Sequence, residues 1–456
     1  QNGNTNPAAV GDLGGYTKYK INDLWLTGAV KITPLEGLVI NADYTYNIYS
    51  KNASEVQRTF TDYTAVAGTE ALYGWTKPSY ANYTTNEDYY YAFNAFAEYS
   101  KSFLENTHNF KIMAGYNQEK KSNKKYNAKR TNLIVEDIPD LDLATGEQSM
   151  SSEDTYWAIN GFFFRFNYNY KQRYLLEVNG RYDGSSKFAK DHRYAFFPSV
   201  SAAWRISEEN FWQPLKGWWN DMKIRGSYGV IGENVGEPFQ HVMGFTPNVN
   251  IGYEFEDGKF LGTMAAPGVI NRDFTWVRSE MYNVGVEFSV LRNKLNFELD
   301  FYKKHKSGKL KIREGNLPNT FGGSMPVENV ESERTQGFDL TISHKNRIND
   351  FSYSASFNMN IARTMHRTVD KPAARSSYDR WKNGYTNRWN DLVWGFDKVG
   401  QFQNYEEILH GAIHCDNRGN TQLLPGDYIY DDYNGDGVIN GYDTKPIFRN
   451  KTPKLF

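Results

Sequence analysis

The sequence predicts an all-β chain: a transmembrane antiparallel β-barrel, of which it supplies a central portion with long extracellular loops. Three observations carry that reading. Apolar and polar residues alternate with period two, the alternating runs last ten residues or more, and the links between runs are short and long by turns. Strand side chains point to opposite faces in succession, so each run has one greasy and one wet face. A membrane-spanning strand needs about 9–11 residues, against about 5–6 for an ordinary globular strand. Short turns at one rim and long loops at the other are the rhythm of an up-and-down barrel.

The runs lie near 21–32, 37–49, 88–101, 108–120, 156–171, 173–183, 196–206, 221–230, 280–290, 294–305, 335–345 and 350–362. In "WAINGFFFRFNYNYK", Phe162, Phe164, Phe166, Tyr168 and Tyr170 alternate with Arg165, Asn167 and Asn169. In "RYLLEVNGRYD", Tyr174, Leu176, Val178, Gly180 and Tyr182 share one face. Arg173, Leu175, Glu177, Asn179, Arg181 and Asp183 share the other. "KLNFELDFYKK" sets Leu295, Phe297, Leu299 and Phe301 against Asn296, Glu298 and Asp300. "FSYSASFNMNIA" repeats the pattern from Phe351 to Ile361. The apolar face is assigned to lipid and the amide and charged face to a wet lumen.

The short links are near 33–37, 171–173, 291–294 and 345–350; the long ones are 50–87, 121–155, 183–195, 231–279 and 306–334. One link on the short side, 207–220, is longer and carries Trp212, Trp218 and Trp219. These three are assigned to an aromatic girdle at the membrane boundary. Residues 363–450 read as a further extracellular loop region. A soluble β-sandwich would show alternation too, but neither this strand length nor this loop rhythm. Closure also removes sheet edges, whose unpaired backbone groups lipid does not tolerate.

Composition agrees. Aromatic residues make up 16% of the 456, with 33 Tyr, 29 Phe and 11 Trp, yet the mean hydropathy is −0.69. No apolar run is long enough for a helical span. A net charge of −1 gives no pull toward nucleic acid, and Cys415 is alone, so no disulfide forms within the chain. No secretory signal is visible. The start at Gln1 and the stop within "KTPKLF" suggest the middle of a longer protein.

The block "RYLLEVNGRYDGSSKFAKDHRYAFFPSVSAAWRISEENFW" resembles the most recognisable block of the SusC/RagA family of TonB-linked (TonB-dependent) outer-membrane transporters. "MKIRGSYGVIGEN" at 222–234 is similar to that family's next strand and turn. So is "SERTQGFDLTIS" at 332–343, with Thr335-Gln336 where Asn-Lys is common, and so is "PGDYIYDDYNGDGVINGYD" at 425–443 followed by Pro453-Lys454. The resemblance implies a 22-stranded barrel with a plug domain in the bacterial outer membrane. It implies a SusD-like surface lipoprotein lid, coupling to the TonB complex, and uptake of oligosaccharides or peptides. The plug, the TonB-contacting segment and the C-terminal strands are not in the sequence read here. A plug-less porin and, further off, a soluble β-rich adhesin are the alternatives.

One local motif suggests a cation. "DYNGDGVINGYD", 432–443, fits the twelve-residue calcium-loop spacing, with Asp432, Asn434 and Asp436 at positions 1, 3 and 5 and Gly437 at the bend. Val438 offers its carbonyl, Asn440 its side chain or a water, and Asp443 stands where Glu is usual. The plain alternative is an Asx-rich turn held by its own hydrogen bonds. In "HGAIHC", His410, His414 and Cys415 lack a fourth zinc ligand and read as loop residues. Tyr73, Trp75, Tyr80 and Tyr83, and later Trp381, Tyr385, Trp389 and Trp394, are rings suited to sugar or peptide. They suit loop packing or a lid equally. No catalytic motif is present, and Glu298 and Asp300 need only be pore wall.

Overall fold

Period-two alternation becomes long antiparallel ladders. The computed structural model describes residues 11, 13–59, 61–63, 70–72, 78–248, 254–256, 259–260, 263–265, 268–313, 325–414 and 419–448. Among them, twelve strands run for 12 residues or more. These are β1 (Gly15–Leu35), β2 (Leu38–Gln57), β3 (Tyr80–Phe103), β4 (His108–Thr131), β5 (Gln148–Tyr170) and β6 (Tyr174–Ser185). They continue with β7 (Tyr194–Arg205), β8 (Trp219–Glu233), β9 (Val277–Val290), β10 (Leu295–Ile312), β11 (Val327–Ile348) and β12 (Phe351–Thr368). Each corresponds in order to one run read from the sequence.

The chain divides into two compact units, residues 1–204 with 229–276, and residues 205–228 with 277–456. In the first, β1 to β7 pair in sequence order, all antiparallel. Their registers line up one apolar row, Ile40, Ala97, Ala114, Phe164, Gly180 and Pro198. A polar row, Asp43, Asn94, Asn117, Gly161 and Asp183, lies on the opposite face. The apolar side remains open, with Phe164, Leu176 and Trp204 all exposed. Large uncovered apolar area on a stable wall fits a lipid solvent.

In the second unit β9 to β12 pair in order. Val284, Phe301, Phe338 and Ile361 share an apolar row; Gly285, Asp300, Asp339 and Asn360 share a polar one. The tight turns use left-handed backbone at Lys171 and Gln172, and at Leu291, Arg292 and Asn293. Positive φ matches the right-handed strand twist in such hairpins.

The strands overrun the predicted limits on the long-link side. β3 starts at Tyr80 and not near 88, β4 continues to Thr131, and β5 starts at Gln148. A 24-residue strand such as β4 measures roughly 80 Å, far more than a bilayer needs. Beyond the lipid band both faces are polar, so the apolar alternation that marks a strand disappears while the ladder persists. Lys121 pairs with Asp88 at 2.9 Å, and Asn127 donates to Asn82 at 2.7 Å. The link 121–155 therefore shrinks to 132–147, which packs Leu133 and Ala144 onto Val56 and Ala81.

The girdle assignment needs one correction. Trp218 is 81% exposed, but Trp212 is buried in the corner. Its ring lies 5.5 Å from that of Trp219, and its indole N–H donates to the Trp219 carbonyl at 3.1 Å. An indole with a partner for its N–H can be fully withdrawn from the interface.

Candidate functional site

The polar face is the surface that a solute would meet, and it is cross-braced by side chains. In the first unit Asn94 donates to Asp43 at 2.8 Å, and Asn117 donates to Asn94 at 2.6 Å. Asn167 and Asn179 both donate to Glu177, at 2.6 and 2.8 Å, while Arg181 grips Asp183 through two nitrogens at 2.8 and 3.0 Å. In the second unit Arg225 meets Glu287 at 2.8 Å, Glu298 at 2.7 Å and Asp300 at 2.6 Å. Lys223 adds a contact of 2.8 Å to Glu287. Gly285 makes room for this cluster, because a Cβ there would stand 2.5 Å from Asp300 Oδ1. Glu298 and Asp300 thus hold the Arg225 guanidinium and brace the wall.

A hollow of about 540 Å³ opens on the same face beyond the lipid band. Tyr19, Lys51, Glu55, Asn82, Asn86 and Lys125 line it. Lys51 sits 4.3 Å over the Tyr19 ring. Tyr80 and Asn82 donate to Glu55 at 2.7 and 3.0 Å. Those bonds, aided by Lys129, hold the Glu55 carboxyl below its ordinary value. Burial first, and then Glu55, push the Tyr80 hydroxyl up to about 12. A ring, two ammonium groups and the side-chain amides of Asn82 and Asn86 can hold a polyhydroxylated or peptide-like solute. Sequence reading named only Tyr80 here. The signal was Asn82, Thr84 and Asn86 at period two, but joining them to Tyr19 and Lys51 requires the register.

The other rings separate by role. Tyr83 donates to the Pro139 carbonyl at 2.7 Å and fixes the 132–147 link. Tyr73 and Trp75 lie outside the described residues. Trp381 packs edge-on against Trp394 at 4.9 Å and stacks with Tyr433 at 5.8 Å. Tyr385 lies under Lys371 at 3.9 Å, and Trp389 under Arg363 at 4.3 Å. Packing of the loops on themselves accounts for most of these rings.

The end of β6 and the turn at Ser186 and Lys187 close a clasp in the first unit. Ser185 is fully buried and donates to Asn234 at 2.8 Å. Ser186 accepts from the Ala158 N–H at 2.8 Å, and Lys187 donates to the Gly236 carbonyl at 2.8 Å. Burial pushes the Lys187 ammonium down, opposed by Glu237. Phe188 packs edge-on against Phe274 at 5.1 Å and at a tilt against Trp276 at 5.2 Å. Gly236, at φ +91, is required because the Phe274 ring occupies the place of a Cβ.

The 432–443 loop folds on its own groups. Asp432 accepts from the N–H groups of Gly435, Asp436 and Gly437 at 2.9, 3.2 and 2.7 Å. Asp436 Oδ1 accepts from Val438 at 2.8 Å, and Asn434 Oδ1 from Asp436 at 3.0 Å. Asn440 and the fully buried Asp443 form a capping box. Among the described residues no group of three His, Cys, Asp or Glu side chains is gathered as a metal centre. His410 ends the short helix Tyr405–His410, whereas His414 lies between the rings of Phe402 and Tyr430 at 6.3 and 5.8 Å. Cys415 lies outside the described residues.

Comparison with known proteins matches this architecture. The family model described as TonB dependent receptor-like, beta-barrel, aligns with residues 1–446. TonB-dependent receptor P3 of Formosa agariphila is 27% identical over 373 residues, covering 78% of this chain and 35% of that protein. TonB-dependent receptor SusC of Bacteroides thetaiotaomicron is 27% identical over 305 residues, covering 63% and 30%. The chain thus spans about a third of the length of these curated relatives. The RagAB peptide importer in its closed-closed state superposes with a TM-score of 0.75 at 18% identity, covering 96% of this chain and 46% of that one. That likeness shows the fold, while the resemblance carried by residues 173–212 is borne out by the family model and the curated relatives. The chain belongs to the TonB-dependent receptor β-barrel family, a family of bacterial outer-membrane proteins.

Proposed function

We propose that this chain is the wall of a SusC-type importer that takes up oligosaccharides or peptides by TonB-dependent transport, with a SusD-like surface lipoprotein as its lid. The carrying observation is the polar hollow at Tyr19, Lys51, Asn82 and Asn86, set on the lumen face beyond the lipid band. A relative named SusC and a structural neighbour titled a peptide importer support the class of activity. The test is uptake of labelled oligosaccharide and oligopeptide pools by cells carrying the full-length protein. Uptake that requires the proton-motive force, and falls when Lys51 and Asn82 are both changed to Ala, supports the reading. Passive uptake that ignores the energy state would make the protein a porin and end it.

We further propose, on spacing alone, that Asp432, Asn434, Asp436, Val438, Asn440 and Asp443 bind calcium and stiffen an external loop.

A further inference from the structure

The outer face of the second unit changes character within one row of residues. Val284, Phe301, Phe338 and Ile361 are in direct register and wholly apolar. Two residues further toward the long links, the next row on that face is Tyr282, Lys303, Gln336 and Arg363. The row beyond is Glu280, His305, Arg334, Met365 and Trp389. The first boundary is where hydrocarbon gives way to headgroups, on the side of the extracellular loops.

A hollow of about 590 Å³ straddles that boundary. Its floor is the apolar row and its upper wall is Lys303, Arg363 and Trp389. Trp389 is partly buried against the Arg363 guanidinium. A tryptophan at this depth sits at headgroup level. Arg363 is held by Asp391 through two contacts of 2.8 and 2.9 Å. Lys303 makes no ion pair among the described residues, and Arg334 donates to the Met365 sulfur at 3.1 Å with no carboxylate beside it. Glu280 is the one acid on the two polar rows.

We propose that this hollow is a binding site for a phosphorylated lipid of the outer leaflet, its acyl chain on the apolar row and its phosphate between Lys303 and Arg363. The proposal rests on the outer-membrane reading of the wall but not on transport. A cation near a membrane surface attracts an anionic headgroup by an amount equal to about fivefold in affinity. A site that also seats the chain selects the intact lipid over its soluble headgroup.

Native mass spectrometry of the full-length protein in detergent tests this with three probes: diphosphorylated lipid A, the same lipid stripped of phosphate, and inorganic phosphate. Preferential retention of the phosphorylated lipid is expected, reduced about fivefold by Lys303→Gln and further by Lys303→Gln with Arg363→Gln. Inorganic phosphate should not displace it. Equal retention of both lipids, unchanged retention in Lys303→Gln, or displacement by inorganic phosphate would overturn the proposal. Lys303→Gln leaves the Arg363–Asp391 pair intact, so misfolding of the double variant does not decide the result. Energy-dependent uptake is read separately, so its absence would sink the transport reading and leave this one standing.

Discussion

Ser185 Oγ donates a 2.8 Å hydrogen bond to Asn234 Oδ1, joining the last residue of β6 to the residue that follows β8, 49 positions away. Two of the most recognisable stretches of the sequence are therefore halves of one joint. Ser185 is fully buried, and Phe188 beside it is fully buried as well. The joint holds Asn234 and Gly236, and Phe274 and Trp276, onto the rim of β5 to β7, so both ends of the link that follows β8 are anchored.

Ser185→Ala removes the donor and strands the Asn234 oxygen, a cost of about 1–3 kcal/mol. Phe188→Ala opens a cavity between Phe274 and Trp276 and costs about 3–5 kcal/mol. Limited proteolysis should show cutting within 234–276 rising in that order, with β1 to β4 unaffected. Equal protection of all three proteins would mean that the joint is not what anchors the link.

Arg225 reaches Glu287, Glu298 and Asp300 together. Arg225→Met leaves those acids facing one another with Lys223 alone, and about 1–3 kcal/mol should be lost, discounted for the partial exposure of the cluster. Adding Asp300→Asn should restore part of it. Heat-modifiability on gels reads both steps, and no rescue would show that the loss came from packing.

The rim pair Glu55 and Tyr80 sets a pH window. The Glu55 carboxyl is lowered in the folded state, chiefly by the Tyr80 and Asn82 hydrogen bonds. Its contribution is present above the ordinary 4.5 and is lost as pH falls through the lower folded value. Tyr80 is raised to about 12, chiefly by burial. Its contribution is whole below the ordinary 10.0 and is lost as pH rises toward 12. Amide exchange in 50–57 and 80–87 should accelerate at both extremes, and Glu55→Gln should abolish the acid limb.

The short-turn ends of all twelve strands were legible to within about three residues, because there one face is apolar and the other polar. The far ends of β1 to β5 and of β10 to β12 were not, whereas those of β6 to β9 fell as close. Residues such as Lys124, Lys125, Asn127 and Lys129 look like loop, and only the partner strand, with Asn82 and Glu87 opposite, makes them a ladder. The rim hollow was hidden for the same reason, since Tyr19, Lys51, Asn86 and Lys125 come from four strands. Trp212 misled because composition does not say which of three tryptophans finds a carbonyl for its N–H.

Topology follows from the link lengths. A protease-cleavable tag inserted at 139–142 should be cut on intact cells, because that stretch tops the 132–147 link. A tag at 171–173, in the tight turn between β5 and β6, should be spared until the cells are opened. Cleavage only at 171–173 would invert the orientation and place Lys303 in the wrong leaflet.

In the 432–443 loop the scaffold residue and the proposed ligand can be separated. Asp443 is buried and caps the loop, so Asp443→Asn should loosen 432–443 with or without metal. Asp436 is exposed, and its Oδ1 takes the Val438 N–H, a bond that an Asn carbonyl can replace. Asp436→Asn should therefore keep the metal-free fold while weakening calcium binding about tenfold, or about 1.4 kcal/mol. Calorimetric titration of the full-length protein, paired with proteolysis of the loop, reads both effects. No heat on adding calcium and no added protection of 432–443 would leave the loop as a self-supporting Asx turn.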